Sequence, residues 1–131
     1  MGTQTCEEFN MGEEVRMLRI ENRTEGDVAI LCIHGDVDED GITDLRIALI
    51  DCIKQHQYKI VVDLTAMRFI SYMGVGVLVE RLRQLRAHRG DMKLVGMNVY
   101  TDRLFRMTGV TSLFDTYEGE AEAIQGFRKA A

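Results

Sequence analysis

Proline is absent from the 131 residues. Helix stops and strand starts must therefore be read from glycine and from hydrophobic period. A basic excess is also lacking. Lys and Arg number 16 against 21 Asp and Glu, a net charge of −5, which argues against a nucleic-acid-binding domain. No apolar run approaches the ~18 residues that mark a membrane-crossing helix. The opening segment MGTQTCEEFNMGEE has no basic stretch and no apolar core, so it does not read as a secretory signal. Cys6 stands where a myristoylation pattern requires Ser or Thr. The three cysteines, Cys6, Cys32 and Cys52, are odd in number and widely spaced, with no CxxC pair. That speaks against a disulfide framework or a zinc site and for a reducing, cytoplasmic setting. Cys32 and Cys52 fall in apolar segments, where a thiol packs as a small hydrophobe.

What is present suits one globular domain: 46% hydrophobic and 28% charged residues, at a length that buries a sizeable core. Residues 1–15 carry Glu7, Glu8, Glu13 and Glu14 and no positive charge, predicting a mobile acidic tail ahead of a domain over 16–131. MLRIE, 17–21, alternates as a strand, and NRTEGD turns it back with Gly26 in the left-handed position. VAILCIHG, 28–35, and YKIVVDL, 58–64, are apolar enough to be strands covered on both faces. Between them Ile42, Leu45, Leu49, Cys52 and Ile53 recur at helical spacing, with Asp40 as the expected cap. A second helix runs over 73–88, a strand over 92–97, and a short helix from Thr101, as cap, to Gly109. A strand within 110–117 and a helix from 118 complete the chain. This order predicts an α/β domain with a four- to five-stranded mixed, mainly parallel sheet and about four helices.

Chemistry is thin in this sequence. Gly74 and Gly76 open the second helix, whose N-terminus would suit an anion. A P-loop needs Lys and Ser/Thr after its glycines, and Val77 and Leu78 follow instead; the third glycine of a dinucleotide fingerprint would fall on Val79. The two glycines therefore read as letting the helix approach the sheet. In DVDEDG, Asp36, Asp38, Asp40 and Gly41 match the first half of an EF-hand loop and Asp44 its ninth place, but the twelfth is Ile47 and a strand precedes. The loop reads as an acidic strand-to-helix corner, with weak calcium binding as the alternative, and no metal or cofactor is assigned. His34, His56 and His88 each end an element, and no GxSxG is present, so the chain does not read as an enzyme. Arg81, Arg83, Arg86 and Arg89 do not form one stripe: Arg81 and Arg86 flank the apolar face, Arg83 lies further round and Arg89 falls over the core end. They read as solvated, snorkelling side chains, or as a partly basic surface for an acidic protein.

With the elements in order, several blocks resemble the STAS domain of bacterial anti-sigma factor antagonists. Gly35-Asp36-Val37-Asp38 is similar to that family's Gly-Glu-Leu-Asp. Phe69-Ile70-Ser71-Tyr72-Met73-Gly74-Val75-Gly76 is similar to its Phe-Ile-Asp-Ser-Ser-Gly-Leu-Gly. Residues 103–110, ending in Thr108-Gly109-Val110, look like its short helix closing in Thr-Gly. The likeness covers about residues 16–128. It implies a small non-enzymatic switch in partner-switching control. Its partner would be an anti-sigma factor or histidine-kinase-like serine kinase, which phosphorylates the second Ser of the motif. Here that place is Met73, which has no hydroxyl. Ser71 stands where the family has Asp, and Tyr72 where it has the first Ser. Ser71 reads as the helix cap, with a displaced phosphoacceptor as the alternative. The resemblance predicts partner binding through Asp36, Asp38, Ser71, Tyr72, Met73, Gly74 and Gly76, without the usual phosphorylation. Other expectations are an adaptor subunit of a signalling or lipid-transport assembly, or a ligand or metal sensor using the acidic loop. The sequence names no oligomeric state.

Overall fold

A computed structural model of the chain describes residues 17–129; the predicted acidic tail, 1–15, lies outside them. Strand β1 (Arg19–Glu25) forms a hairpin with β2 (Val28–Val37), then follow α1 (Ile42–Lys54), β3 (Lys59–Asp63), β4 (Met67–Ile70) and α2 (Tyr72–Ala87). The chain continues with β5 (Asp91–Val95), α3 (Val99–Met107), a 3₁₀ turn at Thr111–Leu113, β6 (Asp115–Tyr117) and α4 (Glu120–Lys129). The sheet runs β1-β2-β3-β5-β6, with β4 attached to β2. Only β1 is antiparallel to its neighbour. The mixed, mainly parallel α/β architecture is the one expected, with six strands in place of four or five.

The additional strand is β4, and β2 explains it. At ten residues β2 outruns its partner β3, and the two stay paired only as far as Cys32 and Asp63. Beyond a register irregularity at Gly35, where φ is 87°, the end of β2 pairs with Met67, Phe69 and Ile70. The left-handed glycine lets β2 bend there and change neighbours. A four-residue strand of this kind leaves no periodic signal, which is why the sequence assigns no element between the strand ending at 64 and the helix starting at 73.

Both faces of the sheet are covered. On one, Leu45 and Leu49 of α1 and Leu78, Leu82 and Leu85 of α2 pack on Leu31, Ile33, Ile60, Val62 and Leu94. On the other, Ala123, Ile124 and Phe127 of α4 close over Val28, Ile30, Val61 and Val95. Two-sided burial accounts for the unbroken apolar runs of β2 and β3. Gly26 takes the hairpin turn at φ 62°, as expected, but β1 continues to Glu25 rather than ending at residue 21.

The caps depart from expectation. Gly41, not Asp40, is the N-cap of α1. Asp38 serves that end instead: its Oδ1 accepts from the backbone N–H groups of Asp40 and Gly41, each at 3.0 Å. Asn98, not Thr101, caps α3, its Oδ1 accepting from Thr101 N at 2.8 Å. Arg89 does not lie over the core end of α2. It follows the helix in left-handed backbone, φ 63°, and is exposed.

Candidate functional site

The β2–β4 pairing decides where the chemistry-bearing residues go. It sets Asp36 opposite Phe69 and Val37 opposite Ile70, and Ser71 N donates to Val37 O at 2.9 Å. The acidic turn after β2 and the corner that opens α2 are thereby held side by side. Asp36, Asp38, Ser71, Tyr72, Met73, Gly74 and Gly76 all fall in this region, at one end of the sheet.

Each residue of the corner has its own local cause. Ser71 is extended and its Oγ accepts from Gly74 N at 3.2 Å, so it caps α2 as read from sequence. With Ser71 turned inward, the next two side chains project outward. Tyr72 is 62% and Met73 61% exposed. Phe69, also exposed, adds a third apolar group to this edge.

The two glycines differ. Gly74 is buried, and a Cβ there would stand 2.6 Å from Ile70 Cγ1. Close approach of α2 requires this glycine. Gly76 does not serve packing, contrary to expectation: it is exposed and a Cβ there would meet nothing within 4 Å. Its place on the outer side of α2 is the reason.

The acidic turn is dense in negative charge. Asp38, Glu39 and Asp40 are exposed and Asp36 partly buried. None of these carboxylates has an ion-pair partner among the described residues. Asp36 Oδ1 is buried with no hydrogen-bond partner among them. One Asp38 oxygen is taken up by the α1 cap, so the turn is first of all a helix-start device.

A second polar cluster, which sequence reasoning missed, lies on the α4 face. Arg23 of β1 pairs with Glu120, the first residue of α4, and Asp63 at the end of β3 is buried beside them. Burial first, then a hydrogen bond with the Asp63 carboxyl, push the Glu120 carboxyl up to about 7, against the pull of Arg23. Cys32, Asp63 and Glu120 bring ligand-type atoms within 4.8 Å of one another. Cys32, however, is disulfide-bonded, which departs from the expectation of free thiols and leaves no thiolate for a metal. It is buried within the apolar cluster beneath α4, as expected of a small packing side chain, with the Arg23 guanidinium beside it. Cys52 is free and buried, as expected of a packing thiol, and burial raises its pKa. No signal in the sequence pairs residues 23, 63 and 120, because the strand order alone joins them.

The α2–α3 flank holds two more features. A cavity of about 610 Å³ lies between α2 and the end of α3, with Gly76, Val79, Arg83 and Val110 in its walls. A smaller one of about 230 Å³ lies between β4 and α3, against Phe69, Tyr100 and Met107. Among the described residues no helix is long and apolar enough to cross a membrane.

Comparison with known proteins gives a consistent result. A family model of the STAS domain matches residues 19–123. The chain is 26% identical over 108 residues to the anti-sigma F factor antagonist of Paenibacillus polymyxa, covering 82% of this chain and 92% of that one. It is 24% identical over 102 residues to an anti-sigma-B factor antagonist of Staphylococcus epidermidis, covering 78% and 94%. Among solved structures, the fold is similar to an anti-sigma factor antagonist from Mycobacterium paratuberculosis, with a TM-score of 0.78 at 21% identity, over 85% of this chain and 94% of that one. It is similar also to SpoIIAA in its unphosphorylated form, with a TM-score of 0.75 at 20% identity, over 85% and 97%.

Proposed function

The chain belongs to the STAS-domain family, and from that premise we propose that it binds an anti-sigma factor, of the histidine-kinase-like serine kinase type, through the corner 71–76 and the turn 36–40. It is a non-enzymatic protein-interaction module related to the anti-sigma factor antagonists of partner-switching systems. The observation that carries the binding surface is the β2–β4 pairing, which sets the acidic turn beside Phe69, Tyr72 and Met73. Exposed aromatic and methionine side chains ringed by charge are the usual composition of a protein-binding patch.

The position that aligns with the family's phosphorylated serine is Met73. A thioether accepts no phosphoryl group, so binding here is not ended by modification at that place. Ser71, the nearest serine, is partly buried and engaged as the α2 cap. The module therefore acts as a standing antagonist, with control exerted elsewhere.

The test is a binding titration against each anti-sigma factor kinase of the same organism, followed by intact-mass measurement with ATP. The expected result is a complex with one kinase and no phosphate on this chain. Rapid stoichiometric phosphate gain mapped to Ser71 or Tyr72 would overturn the unswitched reading, and binding to none of the kinases would overturn the partner assignment.

A further inference from the structure

The surface assigned above takes in Phe69 of β4 but leaves Arg68 beside it and the outer face of α3 unused. That face is unusual for this molecule. Tyr100 is 77% and Met107 68% exposed, and Phe69 of β4 lies with them along the smaller cavity. Most of the exposed large apolar side chains among the described residues gather here and at the neighbouring corner. Single exposed apolar groups need no explanation, but a contiguous set does.

The charges around it are equally selective. Arg68, Arg83 and Arg103 are exposed on this flank, and none of them has an ion pair among the described residues. The acids close by are already engaged: Glu80 pairs with Arg81 at 3.1 Å, and Asp102 with Arg106 at 2.9 Å. A chain with five more acids than bases thus keeps three uncompensated guanidinium groups around one aromatic patch. Arginine presents a planar fork that matches a carboxylate, and with Tyr and Met it supplies the anchors of protein interfaces.

Gly76 gives an independent indication. It interrupts α2 where no internal contact needs it, and it opens the wall of the 610 Å³ cavity between α2 and α3. A mid-helix glycine costs about 1 kcal/mol relative to alanine. A glycine with no inward use that keeps a groove open points to something entering the groove from outside.

We propose that the α3–β4 face, with the groove at Gly76, docks an acidic protein segment that carries apolar anchors, such as a helix with leucines on one side and glutamates flanking them. The anchors would seat against Tyr100, Met107 and Phe69 and in the groove, and the glutamates would meet Arg68, Arg83 and Arg103. This rests on the reading of the chain as a protein-binding module and adds a second, oppositely charged zone to it. The acidic turn 36–40 and the arginine face together fix the direction in which a partner lies across the site. A nucleic-acid backbone is disfavoured by that same acidic turn, which borders the patch through β4.

The first experiment needs no natural partner. A synthetic helical peptide with leucines at i and i+4 flanked by glutamates is titrated into the isotope-labelled chain and followed by NMR. Shifts on α3, β4 and around Gly76, weakening as salt rises, are expected. The double variant R68E/R103E and the double variant Y100A/M107A, all at exposed positions, should each lower affinity by about tenfold. Shifts confined to other elements, no shift at millimolar peptide, or binding only to anionic phosphatidylglycerol vesicles would overturn the proposal.

The second experiment repeats the variants against the anti-sigma factor kinases. If a kinase binds the native chain and both variants equally, the α3 face is not used and the proposed function stands. If no kinase binds but the peptide docks on α3 as described, the partner assignment fails and the face stands.

Discussion

Ser71 and Gly76 sit five positions apart and make opposite predictions. Ser71 Oγ satisfies the N–H of Gly74, one of the orphan donors of the first helical turn. Ser71→Ala should cost about 1 kcal/mol of stability, a typical loss for an N-cap serine; urea unfolding measures it, and an unchanged midpoint would remove the cap from the account of this corner. Gly76 has nothing to gain from being glycine within the fold. Gly76→Ala should therefore raise stability by about 0.5–1 kcal/mol. In the same variant, affinity for the bound kinase should fall, because the added methyl narrows the groove between α2 and α3. A variant that is more stable and binds equally well would show that the groove is not entered. Gly74→Ala is the contrasting case: its Cβ meets Ile70 Cγ1 at 2.6 Å, so it should destabilise the chain as overpacking does.

Helix α4 carries the pH dependence. Its first residue, Glu120, titrates near 7 in place of the ordinary 4.5, first because it is buried and then because it shares a hydrogen bond with Asp63. Between those two values the folded chain holds a proton that the unfolded chain has released. Stability from this group is complete below about 4.5 and is lost as pH rises through about 7. Denaturant midpoints should accordingly fall between pH 5 and pH 8, and Glu120→Gln, which fixes the protonated form's hydrogen bonding, should flatten that slope. An equally steep slope in the variant would assign the effect to another group. Nothing of this was legible in the sequence, because Arg23, Asp63 and Glu120 meet only through the order β1-β2-β3 and the return of α4. The helices were legible for the opposite reason. The periodicity of Ile42, Leu45, Leu49, Cys52 and Ile53 is local, and all five are buried in α1. The candidate residues of the turn and corner were picked out by motif, but that they lie side by side was not legible, since it depends on β4. The α3 face escaped notice because Tyr100 and Met107 look like core residues in any apolar pattern, and only the fold shows them turned outward.

On the proposed reading, the molecule as a whole has the frame of a phosphorylatable switch with the acceptor removed. Met73 occupies the second position of α2 and projects into solvent. The helix start is intact: Ser71 still caps it and Gly74 still packs it. A single substitution should then restore what the position lacks. Met73→Ser keeps the backbone and exposes a hydroxyl at a helix N-terminus, where free N–H groups and the helix dipole favour a phosphate. In the presence of the cognate kinase and ATP, this variant is expected to gain one phosphate mapped to residue 73, while the native chain gains none. The modified variant should also bind the kinase more weakly than the unmodified one. About two negative charges would be added to the contact, beside the carboxylates of Asp36, Asp38, Glu39 and Asp40, so the repulsion is built into the surface. Mass spectrometry reads the first outcome and a binding titration the second. A kinase that binds Met73→Ser tightly yet leaves it unmodified would mean that the helix start is not presented to the kinase's active site, and that this fold binds its partner in another pose from the one its motif suggests.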